Sequence, residues 1–505
     1  MRRGPILLAL LLLGAGPEPL TVAIRGGTIV TGDADPFVGD VGVAGDRIVY
    51  VGRRAPAAAR SIDARGLVVA PGFIDPHTHA DAMLLGDDAR TRLVLPFLMQ
   101  GVTTAFVGND GGGAPELPSL DAPPTGINHA AYVGFGAIRR RVVGDARRAP
   151  TAPELTTMRG LVAGAMCRGA LGLSTGLFYA PQSFASTEEV VALAREAGQR
   201  GGVYDTHLRD ESSYTIGLKA AIDEAIRIGR DAGTPLNISH IKALGVDVQG
   251  TAGANIAAIE AARAAGQRIT ADQYPWTASG TSLVAALAPL WAQDGGRAGL
   301  LPRLGDPKLA ADMIENLRRR GGADRLLITE GPENGRTLAQ VAAARRLDPI
   351  AAAIAVIRVA DPAVASFNQS EADIAAFMAR PWVMTGSDAS TGHPRVYGSF
   401  ARKYAEYVVR RRVLTLRQFV ERSSTLAADT FGLTDRGRLR VGAIADIVAF
   451  DPRRYRARAT YQQPALLAQG VRTVLVGGRI AVDRGAATGV AAGRALRHRP
   501  TGGCA

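Results

Sequence analysis

The sequence is 505 residues long, with 47% hydrophobic and 21% charged residues, a balance typical of a packed globular protein and not of a disordered chain. The formal net charge is +13, but the basic residues are spread along the chain and form no cluster with interleaved aromatic side chains, so we expect no nucleic-acid partner. Only four of the 59 basic residues are lysines, so the positive charge is carried almost entirely by arginine.

The first 19 residues, MRRGPILLALLLLGAGPEP, combine two arginines with a short apolar run that ends in small residues. A run of about a dozen apolar residues is too short to span a bilayer but suits the hydrophobic region of a signal peptide. We therefore predict a signal peptide over residues 1–19 and an exported bacterial protein, periplasmic or secreted. An uncleaved membrane anchor is the alternative.

Segments that alternate apolar and polar residues occur at both ends of the chain, over residues 20–70 and 431–490. Alternation with a period of two is typical of β-strands, and turn residues separate the segments. We predict one small β-sandwich domain formed from both termini, followed by a tail over residues 491–505.

Residues 71–430 show short apolar strands followed by Ala-rich helical segments, such as ALGLSTG before TEEVVALAREAGQRG. Strands that alternate with helices over this length predict an α/β protein with a (β/α)8 TIM-like barrel. The alternation breaks over about residues 281–346, which we predict to be an insertion over the barrel mouth.

Two cysteines do not predict a disulfide framework. Cys167 lies in an Ala-, Gly- and Met-rich helical segment, where we expect a small core residue. Cys504 lies in a polar tail, which we expect to be mobile.

Four of the seven histidines fall at the ends of predicted strands. GFIDPHTHAD places His77 and His79 two residues apart, where strand side chains point to the same face. His207 ends GVYDTH and His240 ends LNISH. Because the ends of barrel strands converge on one face, these imidazoles predict a site for zinc or a similar metal.

Two carboxylates also follow apolar runs. Asp388, in WVMTGSDAS, either accepts a proton from an attacking water or caps the next helix. Asp110, in VGNDGGGAP, lies in a turn, in a glycine loop that binds phosphate, or at the same barrel mouth. The phosphate interpretation is disfavoured because the Lys-Ser/Thr pair of a P-loop does not follow.

The ordered set of motifs resembles the amidohydrolase superfamily and, within it, the D-aminoacylase (N-acyl-D-amino-acid deacylase) family. The resemblance covers about residues 22–485 and rests on PGFIDPHTHAD, GLSTGLFYAP, YDTHLRDE, NISHIKALG, DQYPWTAS and HPRVYGSF. It implies zinc-dependent hydrolysis of a linear amide. The substrate would be an N-acyl-D-amino acid or a dipeptide that contains a D-residue.

The resemblance also implies roles for individual residues. The implied metal ligands are His77, His79, His207, His240 and Asp388, with Asp388 also serving as the catalytic base. The implied groups that bind the substrate carboxylate are Lys242, Tyr274 and Arg395. The implied walls of the side-chain pocket are Phe178 and Tyr179. We expect His393 to support Arg395, His129 to be structural and His498 to lie outside the site.

Asp110 departs from the family pattern, in which the corresponding GNCG motif carries a metal-ligating cysteine. A carboxylate can bind one metal ion or bridge two, and it is a harder ligand than a thiolate. We therefore expect one or two zinc ions, with Mn, Co or Fe as alternatives. We expect the glycines after Asp110 to let the loop clear the substrate.

Two other functions stay open at this point. One is a cyclic-amide hydrolase of the dihydroorotase or hydantoinase type, which is disfavoured because GALGLSTG lacks the lysine that those enzymes carbamylate. The other is a non-catalytic scaffold with the same fold, which is disfavoured because the ligand residues are complete. The oligomeric state is not predicted.

Overall fold

The computed structural model describes residues 19–504. The predicted signal peptide of residues 1–19 lies outside the described residues except for its last position. Among the described residues, no helix is both long enough and apolar enough to cross a membrane.

The described chain begins with five strands: β1 (Leu20–Ile29), β2 (Phe37–Ala44), β3 (Arg47–Gly52), β4 (Ala58–Asp63) and β5 (Val68–Pro71). β1 pairs with β2 along one edge, while its other edge pairs first with β4 and then with β5. A bulge between Ile24 and Gly27 lets β1 change direction between these two partners.

Eight short parallel strand segments follow: β6 (Phe73–Asp75), β7 (Val102–Val107), β8 (Asn128–Ala131), β9 (Val133–Gly134), β10 (Gly172–Gly176), β11 (Val203–His207), β12 (Leu236–Ile238) and β13 (Ile269–Gln273). Only Tyr132 separates β8 from β9, so these two segments form one irregular strand of the barrel. Each strand is almost wholly buried, as expected when helices cover a parallel sheet.

Helices connect these strands. They are α1 (Asp81–Leu84), α2 (Leu95–Leu98), α3 (Phe135–Val142), α4 (Ala152–Arg168), α5 (Thr187–Gly198), α6 (Leu218–Ala232) and α7 (Ala252–Ala264). α4 begins at a capping box made by Thr151 and Glu154 and ends at Gly169, whose φ of 108° is left-handed. On α6, Leu218, Ile222 and Ile228 are spaced to face the strands, and each such buried side chain contributes about 1.5–3 kcal/mol.

An insertion then leaves the barrel. It contains β14 (Ala278–Ser282), α8 (Leu283–Leu287), α9 (Gly296–Arg303), α10 (Pro307–Arg319), β15 (Leu326–Ile328), α11 (Leu338–Arg345), α12 (Pro349–Val359) and β16 (Ala363–Phe367). The three strands form a separate antiparallel sheet over an apolar cluster of their own. The insertion is longer than the predicted 281–346 because β14 and β16 pair with each other along their full length.

The chain returns through α13 (Glu371–Met378) to the last barrel strand, β17 (Val383–Thr385), which pairs with β13. Beyond β17 the barrel closes onto the segment after β6, because Asp388 N donates to His77 O at 2.9 Å and His79 N donates to Ala389 O at 3.0 Å. The helices after β17 are α14 (Arg395–Arg402), α15 (Leu416–Val420) and α16 (Leu426–Thr430), and π-helical turns over Lys403–Arg410 and Glu421–Thr425 lie between them.

Four strands complete the first sheet: β18 (Ile447–Phe450), β19 (Val471–Val476), β20 (Arg479–Asp483) and β21 (Ala486–Ala487). β18 pairs antiparallel with β5, so both ends of the chain contribute to one nine-stranded sheet. The fold is therefore an α/β barrel with a β domain built from both ends. Single 3-10 turns occur at Thr91–Leu93, Pro118–Asp121, Gln182–Phe184, Leu290–Gln293, Ala323–Arg325 and Gly331–Glu333.

The cysteine prediction is wrong, because Cys167 and Cys504 form a disulfide with their Cα atoms 5.6 Å apart. Cys167 lies on the exposed face of α4 and is not a core residue. The residues before Cys504 run back along the barrel, where Leu496 N donates to His129 O and His498 N donates to Gly169 O. The 337-residue separation of the two cysteines conceals this proximity in the sequence.

Candidate metal and substrate site

The predicted ligands meet at the carboxyl end of the barrel. His77 and His79 follow β6, Asp110 follows β7, His207 ends β11, and the remaining two, His240 and Asp388, follow β12 and β17. Parallel barrel strands all point their carboxyl ends to one face, so six residues from five strands converge there.

Asp110 lies at the centre of this group. Its Oδ1 is 3.5 Å from His77 Nε2 and 3.6 Å from His240 Nε2. Its Oδ2 is 3.5 Å from His79 Nε2 and 3.6 Å from His207 Nδ1. Each carboxylate oxygen therefore faces a different pair of histidines, an arrangement that suits a bridging ligand.

Asp388 contacts His77, His79 and an arginine. Its Oδ1 is 3.3 Å from His79 Nε2 and 3.8 Å from His77 Nε2, and its Oδ2 is 2.7 Å from a terminal nitrogen of Arg395. Burial alone would raise the pKa of Asp388, but the positive charge of Arg395 and the neighbouring histidines lowers it below its ordinary value. Asp388 is therefore held as a carboxylate.

Three of these residues have left-handed backbone conformations that non-glycine residues rarely adopt. The φ angles are 53° at Asp110, 35° at His240 and 48° at Asp388. Such conformations carry strain of about 1–3 kcal/mol each and cluster at functional sites. Here they occur where each chain segment turns out of a strand and directs its side chain towards the common centre.

The donor set fits a divalent metal ion. Both ring nitrogens of His77, both ring nitrogens of His207 and Oδ1 of Asp110 are buried without a hydrogen-bond partner, although buried polar atoms are normally paired. Burial lowers the pKa of His77 to about 3, which keeps the imidazole in its neutral, metal-binding form. Imidazole nitrogens with carboxylate oxygens are the ligands that zinc and related divalent ions take in proteins.

Glu211 also contacts the clustered histidines, and the sequence analysis missed it. Its side chain is buried, with Oε1 2.6 Å from Lys242 Nζ and 3.2 Å from His240 Nδ1, and Oε2 3.6 Å from His207 Nε2. Burial alone would raise the pKa of Glu211, but Lys242 and the two histidines lower it. The available signal was the spacing within YDTHLRDE, where Glu211 follows His207 by four residues.

Two of the three implied carboxylate-binding residues line the cavity. Lys242 and Arg395 do so, and they lie 5.7 Å and 5.0 Å from the centre of the Tyr274 ring. Tyr274 itself is buried behind them, and its hydroxyl accepts a hydrogen bond from Gln369 at 2.8 Å. Tyr274 therefore supports the two cations with its ring face and does not itself line the cavity.

Phe178 and Tyr179 form an aromatic wall next to the histidines. The Phe178 ring stacks on His207 with the centroids 5.7 Å apart, and the Tyr179 ring lies 4.8 Å from the same imidazole. The cavity that they line has a volume of about 400 Å³ and lies between the barrel mouth and the insertion. Its size suits a substrate of a few tens of heavy atoms at most.

The loop after Asp110 does not form a phosphate cradle, because its N–H groups are used internally. Gly111 N donates to Ser174 Oγ, Gly112 N to Asn109 O and Gly113 N to Gly108 O. A Cβ on Gly113 would lie 2.1 Å from Tyr132 O, so close backbone packing explains this glycine. The loop thus fixes Asp110 against the neighbouring strands.

The other histidines differ in their surroundings. His393 lines the cavity, and its Nδ1 accepts a hydrogen bond from Arg395 N at 3.1 Å, so it orients the start of α14. His129 contacts Ser119 O at 2.7 Å, and His498 contacts Arg200 O at 2.9 Å, both among residues that do not line the cavity.

Three more carboxyl groups, also missed from the sequence, lie beneath the ligands inside the barrel. Burial raises the pKa of Asp75 and Asp205 to about 8 and that of Asp272 to about 6. Asp272 Oδ1 accepts a hydrogen bond from His240 N at 3.0 Å, and Asn237 donates to both Asp205 and Asp272. This network holds the His240 backbone in its strained conformation.

Comparison with known proteins was made on this basis. The chain matches the model of the amidohydrolase family over residues 60–482. It is 35% identical to the D-aminoacylase of Alcaligenes xylosoxydans xylosoxydans, over 95% of this chain and 98% of that protein. It is 34% identical to the N-acyl-D-glutamate deacylase of the same organism, over 91% of this chain and 93% of that protein.

Solved structures show the same similarity. An N-acyl-D-glutamate deacylase from Bordetella bronchiseptica, complexed with zinc and a phosphonate inhibitor, gives a TM-score of 0.81 at 32% identity and covers 95% of this chain and 100% of that chain. A D-hydantoinase gives a TM-score of only 0.57 at 16% identity, over 95% of this chain and 99% of that chain, so that similarity extends to the fold alone.

Proposed function

We propose that this chain, which belongs to the amidohydrolase family, removes the acyl group from N-acyl-D-amino acids. Within that family it falls in the group of the D-aminoacylases and N-acyl-D-amino-acid deacylases, and it is thus a metal-dependent hydrolase of linear amides. The proposed substrates include dipeptides that end in a D-residue. The observation that carries the proposal is the convergence of four histidines and two aspartates, several with unpaired buried atoms, at the mouth of one barrel.

The metal would be held by Asp110 together with two groups of residues: His77, His79 and Asp388 form one group, and His207 and His240 form the other. Each oxygen of Asp110 faces one histidine of each group. When bound there, a divalent ion supplies a Lewis acid and lowers the pKa of an attacking water. Zinc suits the histidines, and the hard carboxylate of Asp110 extends the choice to Mn, Co or Fe. One or two ions are compatible with an Asp110 side chain whose two oxygens face different histidine pairs.

Asp388 is the proposed general base. Its Oδ1 faces the histidines, where the attacking water would lie, and its Oδ2 is fixed by Arg395. A carboxylate held in its ionised form accepts the water proton and then donates it to the departing amine of the amino acid. The C–O bond forms first, and the amide C–N bond then breaks as the nitrogen takes up the proton, so the carboxylic acid and the free amine leave.

Lys242 and Arg395 are the proposed partners of the substrate α-carboxylate. Both cations line the cavity next to the ligand cluster, and the planar guanidinium of Arg395 suits a carboxylate. Glu211 fixes Lys242 Nζ at 2.6 Å, which reduces the entropy lost when the substrate binds. Phe178 and Tyr179 then cover the acyl and side-chain portions.

The cyclic-amide interpretation is not favoured. Among the described residues, no lysine lies on β10, where the resemblance to the cyclic-amide enzymes would require one. Lys242, which does reach the site, lies on the strand end after β12 and pairs with Glu211 at 2.6 Å. The scaffold interpretation is also disfavoured, because the complete donor set would serve no purpose in a protein without catalysis.

We also propose that the protein acts outside the cytosol. The disulfide between Cys167 and Cys504 supports this proposal, because such bonds persist in oxidising compartments, and the apolar N-terminal run suits an export signal. Activity and the oxidised disulfide should both occur in the periplasmic or secreted fraction. Full-length, reduced protein in the cytosol would contradict the proposal.

The experiment that tests the function is a hydrolysis screen with metal-loaded protein. N-acetyl-D-leucine, N-acetyl-L-leucine and L-leucyl-D-leucine separate the stereochemical and peptide alternatives, and dihydrouracil tests the cyclic-amide class. We expect release of D-leucine from the first compound and little or none from its L-enantiomer. Equal rates on both enantiomers would contradict the D-specific assignment, and preferential opening of dihydrouracil would contradict linear-amide specificity.

A further inference from the structure

Arg320 is a buried arginine on the insertion side of the cavity. It follows α10 directly, lines the cavity and is only 1% exposed. Its Nε donates to Ala286 O at 3.0 Å and its NH1 donates to Ser366 Oγ at 3.0 Å. Among the described residues, its remaining terminal nitrogen, NH2, has no hydrogen-bond acceptor.

This guanidinium lacks the counterion that comparable buried arginines have. Arg139 pairs with Glu189 at 3.0 Å and Arg395 pairs with Asp388 at 2.7 Å. Within residues 19–504, no carboxylate oxygen lies within 4.0 Å of Arg320. Arg422 also lacks a carboxylate, but main-chain carbonyls bind it away from the cavity. An unpaired buried charge is unfavourable. Because Arg320 lines the cavity, an anion bound there next to it would serve as its counterion.

A second unpaired donor lies beside it. The Arg320 guanidinium carbon is 5.6 Å from the centre of the Tyr214 ring, and the Tyr214 hydroxyl is buried without a hydrogen-bond partner. Tyr214 packs against Phe178, which stacks on His207. This corner of the cavity is therefore separated from the metal ligands by one aromatic layer.

Five acidic residues line the same cavity. Asp110, Glu211 and Asp388 face the histidines, Lys242 and Arg395 respectively, and the other two, Asp361 and Glu330, do not pair with Arg320. Asp361 is exposed and accepts a hydrogen bond from Val284 N, and the half-buried Glu330 accepts one from Ala363 N. Neither carboxylate lies within 4.0 Å of Arg320. Among the described residues, the Arg320 guanidinium therefore has no counterion in this corner.

We propose that Arg320, with Tyr214, binds a second carboxylate of the substrate, so that the enzyme prefers dicarboxylic N-acyl-D-amino acids. This inference rests on the proposed deacylation and specifies its substrate class. Lys242 and Arg395 bind the α-carboxylate, and Arg320 binds the other anion through its free nitrogen. That anion belongs either to an acidic D-side chain or to a dicarboxylic acyl group, and the two sources share the same chemistry.

The test compares pairs of substrates that differ by one charge. N-acetyl-D-glutamate and N-acetyl-D-glutamine differ at the side chain, and N-succinyl-D-leucine and N-acetyl-D-leucine differ at the acyl group. For Arg320→Gln we expect kcat/KM to fall about 10- to 100-fold on the dicarboxylic member of one pair, because a hydrogen bond to a charged group is lost. The neutral member should change by less than about threefold, since it does not use that charge.

Arg319→Gln is the matched control. Arg319 lies as close to the Tyr214 ring, at 5.7 Å, but it pairs with Glu315 and lines a different cavity. The control should leave both members of each pair unchanged. Arg320→Lys should restore part of the charge preference without the planar guanidinium geometry.

The two pairs assign the source of the anion, because selective loss on the glutamate pair indicates the side chain and selective loss on the succinyl pair indicates the acyl group. Equal losses on charged and neutral members, or a wild type that prefers the neutral members, would overturn the proposal.

If no N-acyl-D-amino acid is cleaved, the proposed function fails, but Arg320 can still be tested. In that case D-glutamate should raise the melting temperature of the wild type more than D-glutamine does, and Arg320→Gln should abolish the difference. Equal shifts in the wild type would overturn the second-carboxylate site.

Discussion

The two walls of the cavity differ in origin and in chemistry. The barrel wall consists of strand ends, with left-handed backbone at Asp110, His240 and Asp388 and buried imidazole nitrogens that lack partners. The insertion wall consists of a regular antiparallel sheet and helices with their own apolar cluster. The strained wall carries the proposed metal ligands and the proposed base, whereas the regular wall carries Arg320. We therefore propose that reaction and substrate selection depend on separately stabilised parts of the molecule.

The largest effect is expected from Asp388→Asn on the barrel wall. Loss of the proton acceptor should lower kcat by about 10²- to 10⁴-fold, the usual contribution of a general base. Asp361→Asn on the insertion rim is the matched control and should leave kcat within about twofold, as surface substitutions generally have small effects. Steady-state kinetics with N-acetyl-D-leucine measures both variants, and metal analysis verifies that the histidines still hold metal. Near-normal turnover of Asp388→Asn would contradict its role.

A smaller effect is expected from Glu211→Gln, since this residue positions other groups. Removing its charge releases Lys242 and loosens His207 and His240, so metal affinity should fall about 10- to 100-fold, as for other partners of metal ligands. Excess metal should restore kcat but not KM, because Lys242 still lacks the carboxylate that holds it in place. Glu330→Gln is the control, because the Glu330 carboxylate contacts Ala363 N and none of the proposed metal ligands. Unchanged metal affinity and KM would show that Glu211 is dispensable.

The smallest effect on turnover is expected from Cys504→Ser. The disulfide joins the outer face of α4 to the C-terminal segment and does not contact the cavity, so kcat should not change. The free energy of unfolding should fall by about 2–4 kcal/mol, as for other disulfides. Denaturant unfolding, with reduced wild type as the matched control, measures the loss. Equal stability of the oxidised protein and the variant would contradict a stabilising role.

The sequence predicted the barrel wall well because strand periodicity and the strand-end positions of the histidines determine which side chains converge. It predicted an insertion over the barrel mouth at about residues 281–346 but not the side chains of its wall, since Arg320 and Ser366 are 46 residues apart and belong to no local pattern. Glu211 was missed because a single buried carboxylate four residues after His207 looks like an ordinary helical or turn acid. The disulfide was missed for the same reason as Arg320, because it depends on the path of the chain over hundreds of residues.

Tyr274 illustrates a further limit of sequence reasoning. Its motif correctly placed it near Lys242 and Arg395, but a motif does not specify whether a side chain faces the cavity or lies behind it. Packing decides this point, because Gln369, two residues after the end of β16, donates a hydrogen bond to the Tyr274 hydroxyl. The chain at the end of the insertion therefore helps to position the ring that lies beside Lys242 and Arg395.

The central claim is that the histidine and aspartate cluster acts through bound metal. The most direct measurement is a titration of chelator-treated, metal-free protein with Zn, Mn, Co or Fe, with bound metal and N-acetyl-D-amino-acid hydrolysis measured on the same samples. We expect no hydrolysis without metal, and activity that rises with bound metal to a limit at one or two ions per chain. Full turnover by protein shown to be free of metal would contradict it.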